Sequence, residues 1–173
     1  MNTNYKVRKA KPEEFKYIGS LLVKVYSQLD GFPKQEDQPN YYSMLSNIGE
    51  LTANLHIELL VAINAKGKIG GAVLYFNDMQ YYGSGGSATQ ETNASGFRLL
   101  AVDPEVQGMG LGKQLSLECI RKAKKLKQAQ VIIHSTKAMQ VAWKMYEKLG
   151  FKRSLDLDFM QEELPVFGFR LHL

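Results

Sequence analysis

The chain has 173 residues, a length that suits one domain with a core of its own. Its hydrophobic and charged fractions, 45% and 23%, are those of a globular protein, and no apolar stretch reaches the roughly 18 residues a membrane span needs. The net charge of +5 suits a phosphorylated ligand as well as weak nucleic-acid affinity, and a single cysteine, Cys119, excludes an internal disulfide framework.

Tyr5-Lys6-Val7-Arg8-Lys9-Ala10 alternates as a strand does. The run Met1 to Lys6 lacks the apolar core of a signal peptide, so a reducing cytoplasm is the expected compartment. Pro12-Glu13-Glu14 reads as a helix start, followed at helical spacing by Ile18, Leu21, Leu22, Val25 and Leu29. Asp30-Gly31-Phe32-Pro33 breaks that helix, and a second one is expected around Tyr41, Met44, Leu45 and Ile48. Ile57–Ile63 and Gly70–Phe76 read as two strands joined by a tight turn at Asn64–Lys68.

Asn77–Ser95 is a segment long enough to be either a disordered hairpin tip or a substrate-side flap with Tyr81 and Tyr82 as contacts. Next comes a β-type run, Phe97-Arg98-Leu99-Leu100-Ala101-Val102, and the connector Asp103–Val106. A helix from Leu111 to about Lys127 then places Leu111, Leu115, Cys119, Ala123 and Leu126 on one apolar stripe. Val131–His134 reads as a buried strand, Ser135 or Thr136 as the cap of a helix ending at Gly150, and Val166–Leu173 as a closing strand after Pro165.

The chemistry gathers at Gln107-Gly108-Met109-Gly110-Leu111-Gly112-Lys113. A glycine-rich turn entering a helix presents unpaired N–H groups at the positive end of the helix dipole, an anion site that usually takes phosphate. Spacing decides which motif this is. A Walker A loop fails at Gln107 and Gln114, and a dinucleotide fingerprint fails at Lys113, where its third glycine would stand.

What fits is Gln/Arg-x-x-Gly-x-Gly/Ala, read as Gln107, Gly110 and Gly112. It follows Leu100-Ala101-Val102-Asp103-Pro104 and precedes Ala142-Trp143-Lys144-Met145-Tyr146-Glu147-Lys148-Leu149-Gly150-Phe151. Together these resemble the pyrophosphate motif and the A-x-x-x-Y-x-x-x-G-F block of the GNAT acyl-CoA N-acetyltransferases. The resemblance implies an α/β (α+β) fold of the acyl-CoA N-acyltransferase type. Its mixed, mostly antiparallel sheet of six to seven strands would splay between the fourth and fifth, with helices on both faces. It implies an acetyl-CoA-dependent enzyme transferring acetyl directly to a primary amine of a small molecule or peptide. A CoA-binding sensor or partner module that performs no turnover is the alternative.

By the same resemblance, the N–H groups from Gly108 to Lys113, on Gly108, Met109, Gly110, Leu111, Gly112 and Lys113 after Gln107, would hold the pyrophosphate. The Leu100-Ala101-Val102 backbone would pair with the cofactor arm like an added strand. Ala142 and Tyr146 would face the cofactor, with Tyr146 as the acid that protonates the departing thiolate. Two positions depart from the family pattern. Met139 stands where many members have an arm-binding asparagine, so Ser135 or Thr136 would have to substitute. Gly96 stands where several carry a glutamate base, which leaves Glu91, His134 or a water relay.

No metal is expected, because three histidines and one cysteine show no ligand spacing. The basic run Arg121–Lys127 reads as the solvated face of a helix; no aromatics interleave, so neither nucleic acid nor membrane is an expected partner. Asp156, Asp158, Glu162 and Glu163 read first as a solvated acidic loop and only weakly suggest a cationic acceptor, while Phe167-Gly168-Phe169 on a terminal strand suggests a homodimer.

Overall fold

Eight strands and four helices are formed by the residues that the computed structural model describes, 4–173; Met1–Thr3 of the N-terminal run lie outside them. The elements follow the expected order: β1 (Tyr5–Lys9), α1 (Phe15–Ser27), α2 (Pro39–Ser46), β2 (Ile57–Asn64), β3 (Ile69–Phe76), β4 (Ala94–Val102), α3 (Leu111–Lys125), β5 (Gln130–Ser135), α4 (Gln140–Lys148), β6 (Lys152–Arg153), β7 (Phe159–Gln161) and β8 (Leu164–His172). The chain packs as two units, one from the chain up to Leu74 together with Leu99–Ser116, the other from Tyr75–Arg98 and Leu117–Leu173.

In the first unit the strands run β1-β2-β3-β4. β1 lies antiparallel to β2, Val7 opposite Ala62. β3 is buried along its whole length, which accounts for its unbroken apolar run. The hairpin turns on Asn64, whose side chain accepts the N–H groups of Lys66 and Lys68 at 3.0 and 2.9 Å. α1 buries Ile18, Leu21, Leu22 and Tyr26; the stripe continues through Tyr26, leaving Val25 half-buried and Leu29 beyond the helix end. α2 buries Tyr42 and Leu45, and Ile48 lies buried in the 3-10 turn that follows.

In the second unit β4 pairs parallel with β5, β5 antiparallel with β8, and β8 on its other side with β6 and β7. Two of the eight strands, β6 and β7, have only two and three residues, too short to show a period; they raise the count above the expected six to seven. The β4–β5 ladder ends at Gly96 opposite Ile132, although β4 runs on to Val102 and β5 to Ser135. β8 has partners along both sides and Phe169 is fully buried, so Phe167-Gly168-Phe169 offers no free sheet edge to a second subunit.

Asn77–Ser95 is not a disordered tip. Two 3-10 turns, Met79–Tyr81 and Ala88–Gln90, bury Met79, Tyr82 and Ala88. Asp78 caps the first by accepting the Gln80 N–H at 2.9 Å. Of the two tyrosines expected as substrate contacts, Tyr81 is exposed, but Tyr82 is wholly buried and belongs to the core.

Candidate active site

The glycine-rich turn is built as a donor cradle. Asp103 accepts the Glu105 N–H at 3.0 Å and starts the 3-10 turn Pro104–Val106, which hands the chain to Gln107. Gly108 and Gly110 then take φ of +83° and +82°, left-handed values that side-chain-bearing residues rarely adopt. The first α3 bond runs from the Gln114 N–H to the Gly110 carbonyl. Among the described residues, the N–H groups from Gln107 to Lys113 donate to nothing. A Cβ built on Gly108 or Gly110 meets no atom within 4 Å, so open space lies over both. Gln107, Gly108, Met109, Gly110 and Lys113 are exposed and Gly112 half-buried, while Leu111 anchors the turn in the core. Unpaired N–H groups, positive φ and the helix start converge on anion binding.

The end of β4 lies in the same unit. Leu99 adopts φ +58°, a strained value for a leucine, yet buried and half-buried residues alternate regularly from Arg98 to Val102. Past it, Ala101 is buried while Leu100 and Val102 are half-exposed. The Tyr26 hydroxyl donates to the Leu100 carbonyl at 3.2 Å. One of that carbonyl's two lone pairs is thereby used.

In the second unit Tyr146 packs edge-on against Phe97 and Phe151, at centroid distances of 5.9 and 5.8 Å. Its hydroxyl has no hydrogen-bond partner among the described residues, and burial pushes its pKa up, so it stays a protonated donor. Ala142 is half-buried one turn earlier on α4. The expected Ser135 or Thr136 cap is replaced by Met139, which takes the N-cap position of α4 after its own N–H bonds to the Thr136 carbonyl at 3.0 Å. The Ser135 and Thr136 hydroxyls are left buried with no partner among the described residues. Leaving a buried hydroxyl unsatisfied costs roughly 1–3 kcal/mol, so two in succession point to a polar group that arrives from outside.

The candidate bases are both engaged. Glu91 accepts from Arg170 at 2.6 Å, and Arg170 also donates to Gln130, Ser154 and Asp156. Nδ1 of His134 faces the Tyr82 hydroxyl at 3.1 Å and Nε2 the Leu157 carbonyl at 2.9 Å. A carbonyl only accepts, so Nε2 carries the proton and Nδ1 spends its lone pair on Tyr82. A glutamate at Gly96 has no room, since even a Cβ there comes within 2.9 Å of the Ile132 carbonyl oxygen. Two of the four acids in the acidic segment are paired with arginines. Asp156 binds Arg170, while Asp158 binds Arg153 at 2.7 Å and accepts the Gly168 N–H. Arginine contacts hold both carboxyls below the usual carboxylate range, for Asp156 after the larger effect of the Ser154 hydroxyl.

Sequence reasoning missed Tyr26, the orphaned state of Ser135 and Thr136, and the isolation of Arg98, whose guanidinium has no carboxylate partner among the described residues. Tyr26 was signalled by its spacing from Ile18 and Leu22; the other two depend on burial and partners that no pattern reports.

Comparison with known proteins bears on the same segments. The family profile described as an acetyltransferase (GNAT) domain matches residues 56–153, which takes in both motifs. Among solved structures, a GNAT-family acetyltransferase from Staphylococcus aureus Mu50 superposes with a TM-score of 0.74 at 16% identity, over 98% of this chain and 99% of that one. PaiA N-acetyltransferase from Thermoplasma acidophilum, solved in complex with coenzyme A, gives 0.71 at 18% identity over 95% and 97%. YncA from Salmonella typhimurium, solved with its cofactor acetyl-CoA, gives 0.67 at 15% identity over 99% and 95%. No curated protein matches the chain. The described residues hold no group of side chains suited to a metal ion, and no helix long and apolar enough to cross a membrane.

Proposed function

The chain belongs to the GNAT acetyltransferase family, and from that premise we propose that it transfers acetyl from acetyl-CoA directly to a primary amine of a small-molecule or peptide acceptor. The observation that carries the reading is the cradle of unpaired N–H groups from Gly108 to Lys113. It suits a pyrophosphate, and the open space over Gly108 and Gly110 supports close approach of one. Leu100 and Val102 are half-buried residues on either side of the buried Ala101, and their backbone pairs with the amides of the cofactor arm. The Ser135 and Thr136 hydroxyls stand in for the absent asparagine, an assignment their lack of partners supports. Ala142, one turn before Tyr146 on α4, is small enough to admit the cofactor beside it.

Acetyl-CoA supplies a thioester whose acyl carbon accepts the amine nitrogen while the carbon–sulfur bond breaks. Tyr146 gives its phenolic proton to the departing sulfur and regains one from solvent. The proton shed by the amine leaves through water, because Glu91 and His134 are held by other partners. Such an acid is worth about 10²- to 10⁴-fold in rate. The reading places the enzyme in the cytoplasm, which a single cysteine, too few for a disulfide within the chain, supports.

Thermal unfolding with CoA, acetyl-CoA, ATP and NADH, followed by thiol release across an amine panel, tests this. Stabilisation by both CoA species alone, with amine-dependent thiol release, is expected. Tyr146→Phe should then lose turnover at least about tenfold with acetyl-CoA affinity unchanged. Stabilisation by ATP or NADH instead would sink the reading. Binding of CoA with no thiol release for any amine would leave a sensor.

A further inference from the structure

Five arginines occur in the chain, and four of them pair with a carboxylate. Arg8 holds Glu14 at 2.7 Å, Arg121 Glu118 at 2.6 Å, Arg153 Asp158 at 2.7 Å, and Arg170 Glu91 at 2.6 Å. Arg98 is the exception. It is half-buried, lies over the Tyr82 ring at 5.6 Å, and gives one hydrogen bond, from Nη1 to the Tyr82 carbonyl at 2.9 Å. The remaining N–H groups of its guanidinium have no acceptor among the described residues. A guanidinium is fixed in place here by its stacking and one carbonyl, with its other donors free for a planar anion.

The surrounding backbone adds donors. A Cβ on Gly83 would lie 3.0 Å from Nη1 of Arg98, so the Gly83 backbone passes directly beside it. The N–H groups of Gly83, Ser84, Gly85 and Gly86 donate to nothing among the described residues. A Cβ built on Gly96 would lie 3.0 Å from Cε2 of the same Tyr82 ring, which puts residues 96 and 98 on one face of β4. Phe97, with Tyr146 against it, takes the other.

The geometry points to an anion site formed by Arg98 and the Gly83–Gly86 backbone that takes a carboxylate of the amine acceptor. One guanidinium balances one negative charge, which fits a carboxylate better than a phosphate monoester near −2. The donor's phosphates already have the cradle at Gly108–Lys113, so the anion at Arg98 belongs to the other substrate. This inference rests on the acetyltransferase reading. It replaces the cationic acceptor suggested by the acidic segment, whose Asp156 and Asp158 are spent on arginines.

The test compares amines that differ only in that group: γ-aminobutyrate, alanine and lysine against their primary amides, with phosphoethanolamine as a dianionic arm. For each pair the ratio of kcat/KM is measured in wild type and in Arg98→Gln. Wild type should favour the acid by roughly 10- to 100-fold, the weight of a charge-assisted pair, and Arg98→Gln should bring that ratio near unity while the amide's kcat/KM holds. Taking a ratio of ratios removes differences in amine basicity. Should Arg98→Gln fold poorly, Arg98→Lys keeps the charge without the fork and should retain only part of the preference. No acid preference in wild type, an unchanged preference in the variant, or a preference for phosphoethanolamine would each overturn the carboxylate site. CoA binding without turnover of any amine would instead count against the parent reading.

Discussion

The Tyr82 hydroxyl donates to Nδ1 of His134 across 3.1 Å, with the two rings stacked at 28°. Burial lowers the pKa of the imidazole from its usual value near 6.5 and raises that of the phenol, so both are neutral around pH 7. The pair is a structural clamp between the Asn77–Ser95 segment and β5, completed by the Leu157 carbonyl. Tyr82→Phe leaves Nδ1 buried without a donor and should cost about 1–3 kcal/mol, measured by urea unfolding. Turnover of the folded variant should be unchanged; a loss comparable to that of Tyr146→Phe would restore His134 as a base. The pH dependence has a definite sign. Because the folded pKa is depressed, the unfolded chain binds the proton first as pH falls below about 6.5. The contribution of His134 is therefore complete above that pH and is lost as pH drops towards its lower folded value. His134→Gln should flatten that loss.

Gly110 and Gly67 form a matched pair. Both have φ +82° and both would carry a Cβ that meets nothing within 4 Å, but Gly67 is in the β2–β3 turn and Gly110 in the cradle. Alanine at either position should cost stability alike, about 1–2 kcal/mol, through the left-handed backbone alone. Only Gly110→Ala should weaken CoA, because only there does the added methyl occupy space read as the phosphate's. Calorimetric CoA titration of the two variants checks this. Equal affinities would move the pyrophosphate away from Gly110.

The cradle and the Tyr146 helix were legible because both rest on local rules, glycine spacing before a helix and small-then-aromatic spacing along one. β3 was legible too, as an apolar run with nothing polar to break it. β6 and β7 were not, since strands of two and three residues exist only through pairing with β8. Tyr82 beside Tyr81 shows the same limit. Adjacent and chemically identical, they differ only in which side of a 3-10 turn they leave, and only packing decides that. Glu91 read as a free loop charge until Arg170, 79 residues away in sequence, supplied its partner.

Ser135 and Thr136 yield the last prediction, in which stability and affinity move in opposite directions. Their hydroxyls are buried with no partner among the described residues, so removing them takes away an unmet desolvation cost without breaking a bond. Ser135→Ala and Thr136→Val, the second nearly isosteric, should leave the ligand-free protein as stable as wild type, or more stable by up to about 1–3 kcal/mol per site. Most buried substitutions do the reverse. If these hydroxyls receive the cofactor arm, the same variants should weaken CoA by several-fold each, about 1 kcal/mol per lost hydrogen bond. Thermal unfolding with and without CoA reads both effects at once. A more stable apo protein with undiminished CoA stabilisation would remove both residues from the site. A destabilised apo protein would mean that each hydroxyl already has a partner, such as an ordered water, within the fold.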